Sequence, residues 1–166
     1  DVAACSNNLQ KWIKETKLQS AVKNKIQEWF IDGLKPWDIS RDAPYFGFKI
    51  PGYDDKYFYV WLDAPIGYIA SLENFLKKEK VSKTSKDLWD EKSDTEIYHF
   101  IGKDIMNFHT LFWPCMLEAG GFKKPTNVFI HGFMTLNGKK MSKSKKNFLL
   151  VDDYLDVLKP DLIRYY

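Results

Sequence analysis

Residues 96–130 read as strand, crossover helix, strand, and that order constrains the fold more than anything else in the chain. The run 96–101 is short and apolar, 103–118 repeats apolar residues at helical spacing before Gly120-Gly121, and 127–130 is a second short apolar run. Two strands joined through a helix of this length pair in parallel, so the expected class is α/β, a parallel sheet with flanking helices. Pro114 falls inside the crossover, where it removes an amide donor and should kink the helix unless the segment is two shorter pieces.

The flanks fit that class. Leu9, Trp12 and Ile13, then Val22, Ile26, Trp29 and Phe30, recur at three- and four-residue spacing and predict two amphipathic helices, the second ended by Gly33. Aromatic-rich strands are expected at 45–50 and 57–60, around the turn Pro51-Gly52-Tyr53-Asp54-Asp55, with a helix after Pro65 to about residue 78. The polar stretch 77–94 reads as connecting surface. Asp152 or Asp153 begins a helix through Val157, and Pro160 opens a last one over 161–166.

With 45% hydrophobic content in 166 residues, one full core can be buried. No apolar run approaches the roughly eighteen residues a membrane helix needs, and Asp1-Val2-Ala3-Ala4-Cys5 lacks the regions of a signal peptide. The expectation is a cytoplasmic protein without membrane contact. Cys5 and Cys115 lie far apart without Cys-x-x-Cys companions, so both are expected reduced, with Cys115 a small core residue.

Asn137-Gly138 supplies two positive-φ residues and predicts a type I′ hairpin tip joining 133–136 to 139–141. Five lysines follow within 139–146, interleaved as Lys140-Met141-Ser142-Lys143-Ser144. Ammonium groups on such a loop can neutralise phosphate oxygens while the hydroxyls donate hydrogen bonds. A solvated basic face or a nucleic-acid patch would show the same charge, though not the interleaved Met141 and Phe148 or the turn set by Gly138.

A second candidate site is the strand–helix junction. Gly102 lets a ligand approach the carboxyl end of a strand, and Asp104 can accept from ribose hydroxyls or cap the helix. Ile105 and His109, four apart, share one helix face and suit either a pocket wall or a satisfied core. His131-Gly132 ends the next strand at the same kind of edge. Arg41, one of two arginines in the chain, suits a bidentate fork or a structural ion pair with an aspartate.

Three further stretches carry a resemblance: 37–48 (Trp37-Asp38-Ile39-Ser40-Arg41-Asp42-Ala43-Pro44-Tyr45-Phe46-Gly47-Phe48), 57–68, including Trp61-Leu62-Asp63-Ala64-Pro65, and 99–105 (His99-Phe100-Ile101-Gly102-Lys103-Asp104-Ile105). With the lysine loop, which is similar to the signature loop of class I aminoacyl-tRNA synthetases, they resemble the methionyl-tRNA synthetases in that family's order. The resemblance implies the second half of a Rossmann-like catalytic domain. Residues 1–60 would lead out of a connective insertion, 61–150 would form the nucleotide-binding half with its loop, and 151–166 would start the helical region beyond. It implies a fragment, lacking the His-x-Gly-His half, the insertion with its zinc knuckle and the anticodon-binding domain.

It also implies methionine, ATP with Mg2+ and tRNA(Met) as partners. Zinc is expected only in the missing insertion, and no metal site in this chain. Trp61, Ala64, Pro65, Tyr68, Ile105 and His109 would hold the methionine side chain. Gly102, Asp104, His131, Ser142, Ser144 and Lys143 would hold ATP, with Lys143 and Lys140 catalytic. Lys49 stands where many members carry an acidic residue, so no carboxylate role is carried over there. The competing class is a nucleotide- or RNA-binding α/β module without catalysis.

Overall fold

The apolar spacing at the start of the chain becomes two helices, α1 (Ser6–Glu15) and α2 (Ser20–Ile31), in a computed structural model that describes residues 1–165. Gly33, at φ +83°, takes the left-handed conformation just past α2, as the sequence predicts. The remaining elements are β1 (Ser40–Asp42), β2 (Lys56–Phe58), α3 (Val60–Asp63), α4 (Ile66–Lys78), α5 (Ser85–Trp89), β3 (Tyr98–Gly102), α6 (Trp113–Ala119) and β4 (Asn127–His131). The chain then continues through β5 (Thr135–Leu136), β6 (Lys139–Lys140), α7 (Val151–Leu155) and α8 (Pro160–Tyr165). It divides into two compact units, residues 1–131 and those from Gly132 onward.

In the first unit β3 and β4 pair in parallel, from Tyr98 opposite Asn127 to Gly102 opposite His131, so the fold is mixed α/β with a parallel sheet and flanking helices. Period-2 alternation sends His99 and Ile101 inward and leaves Tyr98 and Phe100 outward. Leu9, Trp12, Ile13, Val22 and Ile26 from α1 and α2 share one apolar core with Ile101, Met106, Leu111, Val128 and Ile130. Side chains tie the helical layer to the sheet. Trp12 Nε1 donates to the Pro125 carbonyl at 2.8 Å, and the Ile130 amide donates to Gln19 Oε1 at 3.0 Å. The opposite face is aromatic: Phe100 stacks on Phe129 at 4.9 Å and is 77% exposed.

Four expectations need correction. The predicted strand at 45–50 does not form, and β2 pairs instead with the earlier β1, with only Lys49 bridging Tyr57 from the expected segment. Pro44 has no amide to give a ladder, and its peptide bond with Ala43 is cis. The strand expected over 57–60 ends early, because Val60 already opens α3.

The stretch 77–94 is more than connecting surface. Thr84 and Asp87 form a capping box that starts α5, and the Glu73 carboxylate accepts from both the Ser85 hydroxyl (2.6 Å) and amide (3.0 Å), which holds its pKa down to about 2. Trp89, at the end of that short helix, is buried.

The crossover at 103–118 is not one kinked helix. It is a 3-10 turn (Lys103–Ile105), a π-helix (Phe108–Phe112) and then α6. The wide π turn ends just before Pro114, which thus sits in the first turn of a new helix, where its missing donor costs nothing. Cys5 and Cys115, distant in sequence, both pack against the same core cluster.

The second unit holds the predicted hairpin. Asn137 (φ +51°) and Gly138 (φ +74°) join β5 to β6, with Thr135 opposite Lys140 and Leu136 opposite Lys139. Among the described residues no helix is long and apolar enough to cross a membrane.

Candidate active site

An aromatic cluster forms where α3, α4 and the π-helix meet β3. Trp61 on α3 stacks on Phe108 at 4.4 Å, and its ring stands edge-on to His109 at 6.4 Å. Ala64 and Pro65 make the corner into α4, Ala64 exposed and Pro65 buried. One turn into α4, the Tyr68 hydroxyl meets His109 Nε2 at 2.9 Å. His109 Nδ1 meets the Ile105 carbonyl at 3.0 Å, so Ile105 takes part through its backbone.

These contacts fix the protonation. A carbonyl only accepts, so His109 carries its proton on Nδ1, leaving Nε2 to accept from the Tyr68 hydroxyl. Burial lowers the His109 pKa, more than the Ile105 bond raises it, and burial pushes the Tyr68 phenol up. The pair is neutral near pH 7.

A second histidine lies behind the first. His99 on β3 accepts from Trp113 Nε1 at 3.2 Å, and its ring lies 4.9 Å from Tyr68 and 5.4 Å from His109. Burial, and then His109, bring its pKa down to about 4. Sequence reasoning missed His99 and Trp113, along with Phe108 and Phe112. The signal for His99 was its place in an inward-facing period-2 slot otherwise held by Ile101. Trp37 stacks on Phe112 at 4.2 Å and closes the far side. Asp63, within the Trp61–Ala64 run, leaves Oδ1 buried without a hydrogen-bond partner among the described residues. It is an acceptor open to an ammonium group.

Arg41 resolves as structural. Its guanidinium lies 3.9 Å over the Tyr59 ring, donates to the Ser40 carbonyl and pairs with Asp38 at 3.6 Å.

The carboxyl edge of the sheet is a second feature of this unit. Gly102 and His131 face each other across the parallel pair. The Asp104 carboxylate curls back over Gly102 so closely that a Cβ there would lie 2.5 Å from Asp104 Oδ1 and 3.7 Å from His131 Cε1. Asp104 is exposed in the first turn of the 3-10 segment. A glycine floor, an open carboxylate and an imidazole at the end of parallel strands can hold a ribose and its base.

In the second unit the lysine loop is a closed turn. Ser142 and Asn147 exchange backbone hydrogen bonds (2.9 and 3.1 Å), Lys146 donates back to the Lys143 carbonyl, and the Ser142 and Ser144 hydroxyls meet at 3.0 Å. Lys143, Ser144, Lys145 and Lys146 are exposed on it. Lys140 lies 3.6 Å over the Phe133 ring, and a groove runs along Lys139, Lys140, Lys145 and Asn147. Such a loop presents cations to an anion. Among the described residues no cluster of three or more His, Cys, Asp or Glu could hold a metal.

Residues 1–166 match the family described as tRNA synthetases class I (M). Among solved structures, Mycobacterium tuberculosis methionyl-tRNA synthetase in complex with methionyl-adenylate is 28% identical, with a TM-score of 0.78 over 99% of this chain. A second structure of that protein bound by methionyl-adenylate gives 0.77 at 28% identity over 99% of this chain. Its free-state form gives 0.62 at 27% identity over 80% of this chain. The chain spans 31% of each adenylate-bound chain and 26% of the free one.

Proposed function

Since the chain belongs to the class I tRNA synthetases, we propose that it is the part of a methionine–tRNA ligase that holds the methionine side chain, the adenosine of ATP and the loop that neutralises its phosphates. The observation that carries this reading is the neutral Tyr68–His109 pair beside Trp61. A thioether has almost no hydrogen-bonding capacity, so it suits a wall of aromatic rings with one uncharged polar tip, where a charged side chain would lose its hydration without a counter-ion. That the similar structures contain methionyl-adenylate supports the same substrate for this chain.

In the proposed reaction a methionine carboxylate oxygen attacks the α-phosphorus of ATP. The bond to the bridging oxygen breaks, and pyrophosphate leaves with the electron pair. The methionyl group then passes to the terminal adenosine of tRNA(Met). Ile105, His109, Trp61, Ala64, Pro65 and Tyr68 orient the amino acid; Gly102, Asp104 and His131 hold the adenosine. Lys143, with Lys140, stabilises the charge that develops on the departing pyrophosphate, while Ser142 and Ser144 shape the loop and donate to phosphate. Mg2+ enters with ATP as its counter-ion. The activity is proposed for the cytoplasm.

Methionine-dependent ATP–pyrophosphate exchange by the full-length protein tests the reading. Exchange supported by methionine and not by leucine is the expected result. Nucleotide binding without exchange would instead favour a binding module.

A further inference from the structure

His99 holds a position on β3 where the inward-facing alternation calls for an apolar side chain, and Ile101, two residues on, supplies one. Burying an imidazole there costs free energy unless its nitrogens are used. Trp113, the first residue of α6, uses one of them. Its side chain is 2% exposed, and a buried indole N–H needs an acceptor. His99 Nε2 is that acceptor at 3.2 Å, and because an indole only donates, the proton of the neutral His99 ring sits on Nδ1.

Tyr68 joins this pair to the candidate site. Its ring lies 4.9 Å from His99 and 6.2 Å from Trp113, while its hydroxyl is held by His109, so the ring is fixed at three points. Of these four side chains Tyr68 alone is open to a ligand, at 40% exposed, whereas His99, His109 and Trp113 are buried. A strand, α4 and α6 therefore converge on the imidazole of His99.

We infer that His99 is a positioning residue for the methionine pocket: without touching the amino acid, it accepts from Trp113, packs against Tyr68 and so fixes the angle at which the Tyr68 ring meets the substrate side chain. The inference rests on the methionine reading given above. Without the His99 acceptor the Trp113 N–H is buried and unsatisfied, and the indole turns to find another partner. Tyr68 then loses both of its backing rings and pivots about the one bond left, to His109. The effect falls on methionine rather than on ATP.

Steady-state ATP–pyrophosphate exchange by the full-length protein and its variants tests the role. His99→Leu keeps apolar bulk and removes the acceptor, so methionine KM should rise about tenfold, the scale of one buried donor left unsatisfied, with kcat and ATP KM within about twofold of native. His99→Gln sets an amide oxygen near the place of Nε2 and should bring methionine KM back to within about threefold of native. Trp113→Phe removes the donor instead, and combined with His99→Leu it should cost little more than either change alone. If His99→Leu does not fold, Trp113→Phe read against His99→Gln makes the same comparison. A merely structural role would lower kcat with the active fraction and leave the KM values where they were. A methionine KM that does not move when the bond is removed, equal rises in both KM values, no recovery in His99→Gln, or additive effects in the double variant would each overturn this inference alone. Native protein without methionine-dependent exchange would overturn the methionine reading, and this inference with it.

Discussion

One oxygen atom separates tyrosine from phenylalanine, and at position 68 that atom meets His109 Nε2. Tyr68→Phe leaves a buried imidazole acceptor without its donor, at a cost of about 1–3 kcal/mol shared between stability and ligand binding. Methionine KM should rise several-fold while ATP KM stays put; equal changes in both, read by pyrophosphate exchange, would place Tyr68 outside the methionine pocket. Lys143→Ala should behave oppositely. Its charge is needed mainly as pyrophosphate departs, so the forward rate constant should drop by about 2–4 kcal/mol of transition-state stabilisation with methionine KM little changed. Single-turnover adenylate formation decides it, and an unaltered rate would remove Lys143 from the catalytic group. The contact of Tyr68 with His109 and the exposed lysine loop were legible at this scale, because Tyr68, His109 and Lys143 lie in recognisable runs; the roles given to them are proposals. The supports were not. His99 and Trp113 touch the pocket through the sheet and a neighbouring helix, and no local spacing records a contact made across the fold.

At the scale of the element, β3 ends on a glycine whose bare backbone gives the Asp104 carboxylate its room. Gly102→Ala would set a methyl 2.5 Å from Asp104 Oδ1, an atom at the end of a short side chain that can swing away. Stability should therefore change little while the carboxylate is displaced, and ATP affinity should weaken by about tenfold, the scale of one charge-assisted hydrogen bond. Calorimetric titration beside a denaturation curve separates the two; lost stability with intact ATP affinity would sink the assignment of this corner. The parallel unit, the first two helices and the Asn137-Gly138 hairpin were readable because each follows from periodicity or local turn chemistry. The failures share a cause. β1 exists through its partner β2, α5 through the Glu73 carboxylate on another helix, and the π turn through the need to seat Pro114 at a helix start.

For the molecule as a whole, the two buried histidines tie stability to pH. His99 has a folded pKa of about 4 against an ordinary 6.5, so the unfolded chain binds the extra proton first. Its contribution is intact above pH 6.5 and fades as pH falls toward 4, with the lowered His109 acting in the same direction. Between pH 7 and 4.5 His99 should account for roughly 2–3 kcal/mol of lost stability. Urea unfolding at both pH values should show that difference shrinking in His99→Gln, and an identical pH dependence would refute it. The window stays above the range in which Glu73, held near 2, begins to matter strongly. The indole that donates to this imidazole adds an optical side to the same arrangement. Cationic imidazole accepts an electron from excited indole and neutral imidazole does not, so Trp113 glows while His99 is neutral and dims when it takes a proton. With Trp89 only 5.8 Å away to share the excitation, the charge of one buried side chain is written into the protein's own emission.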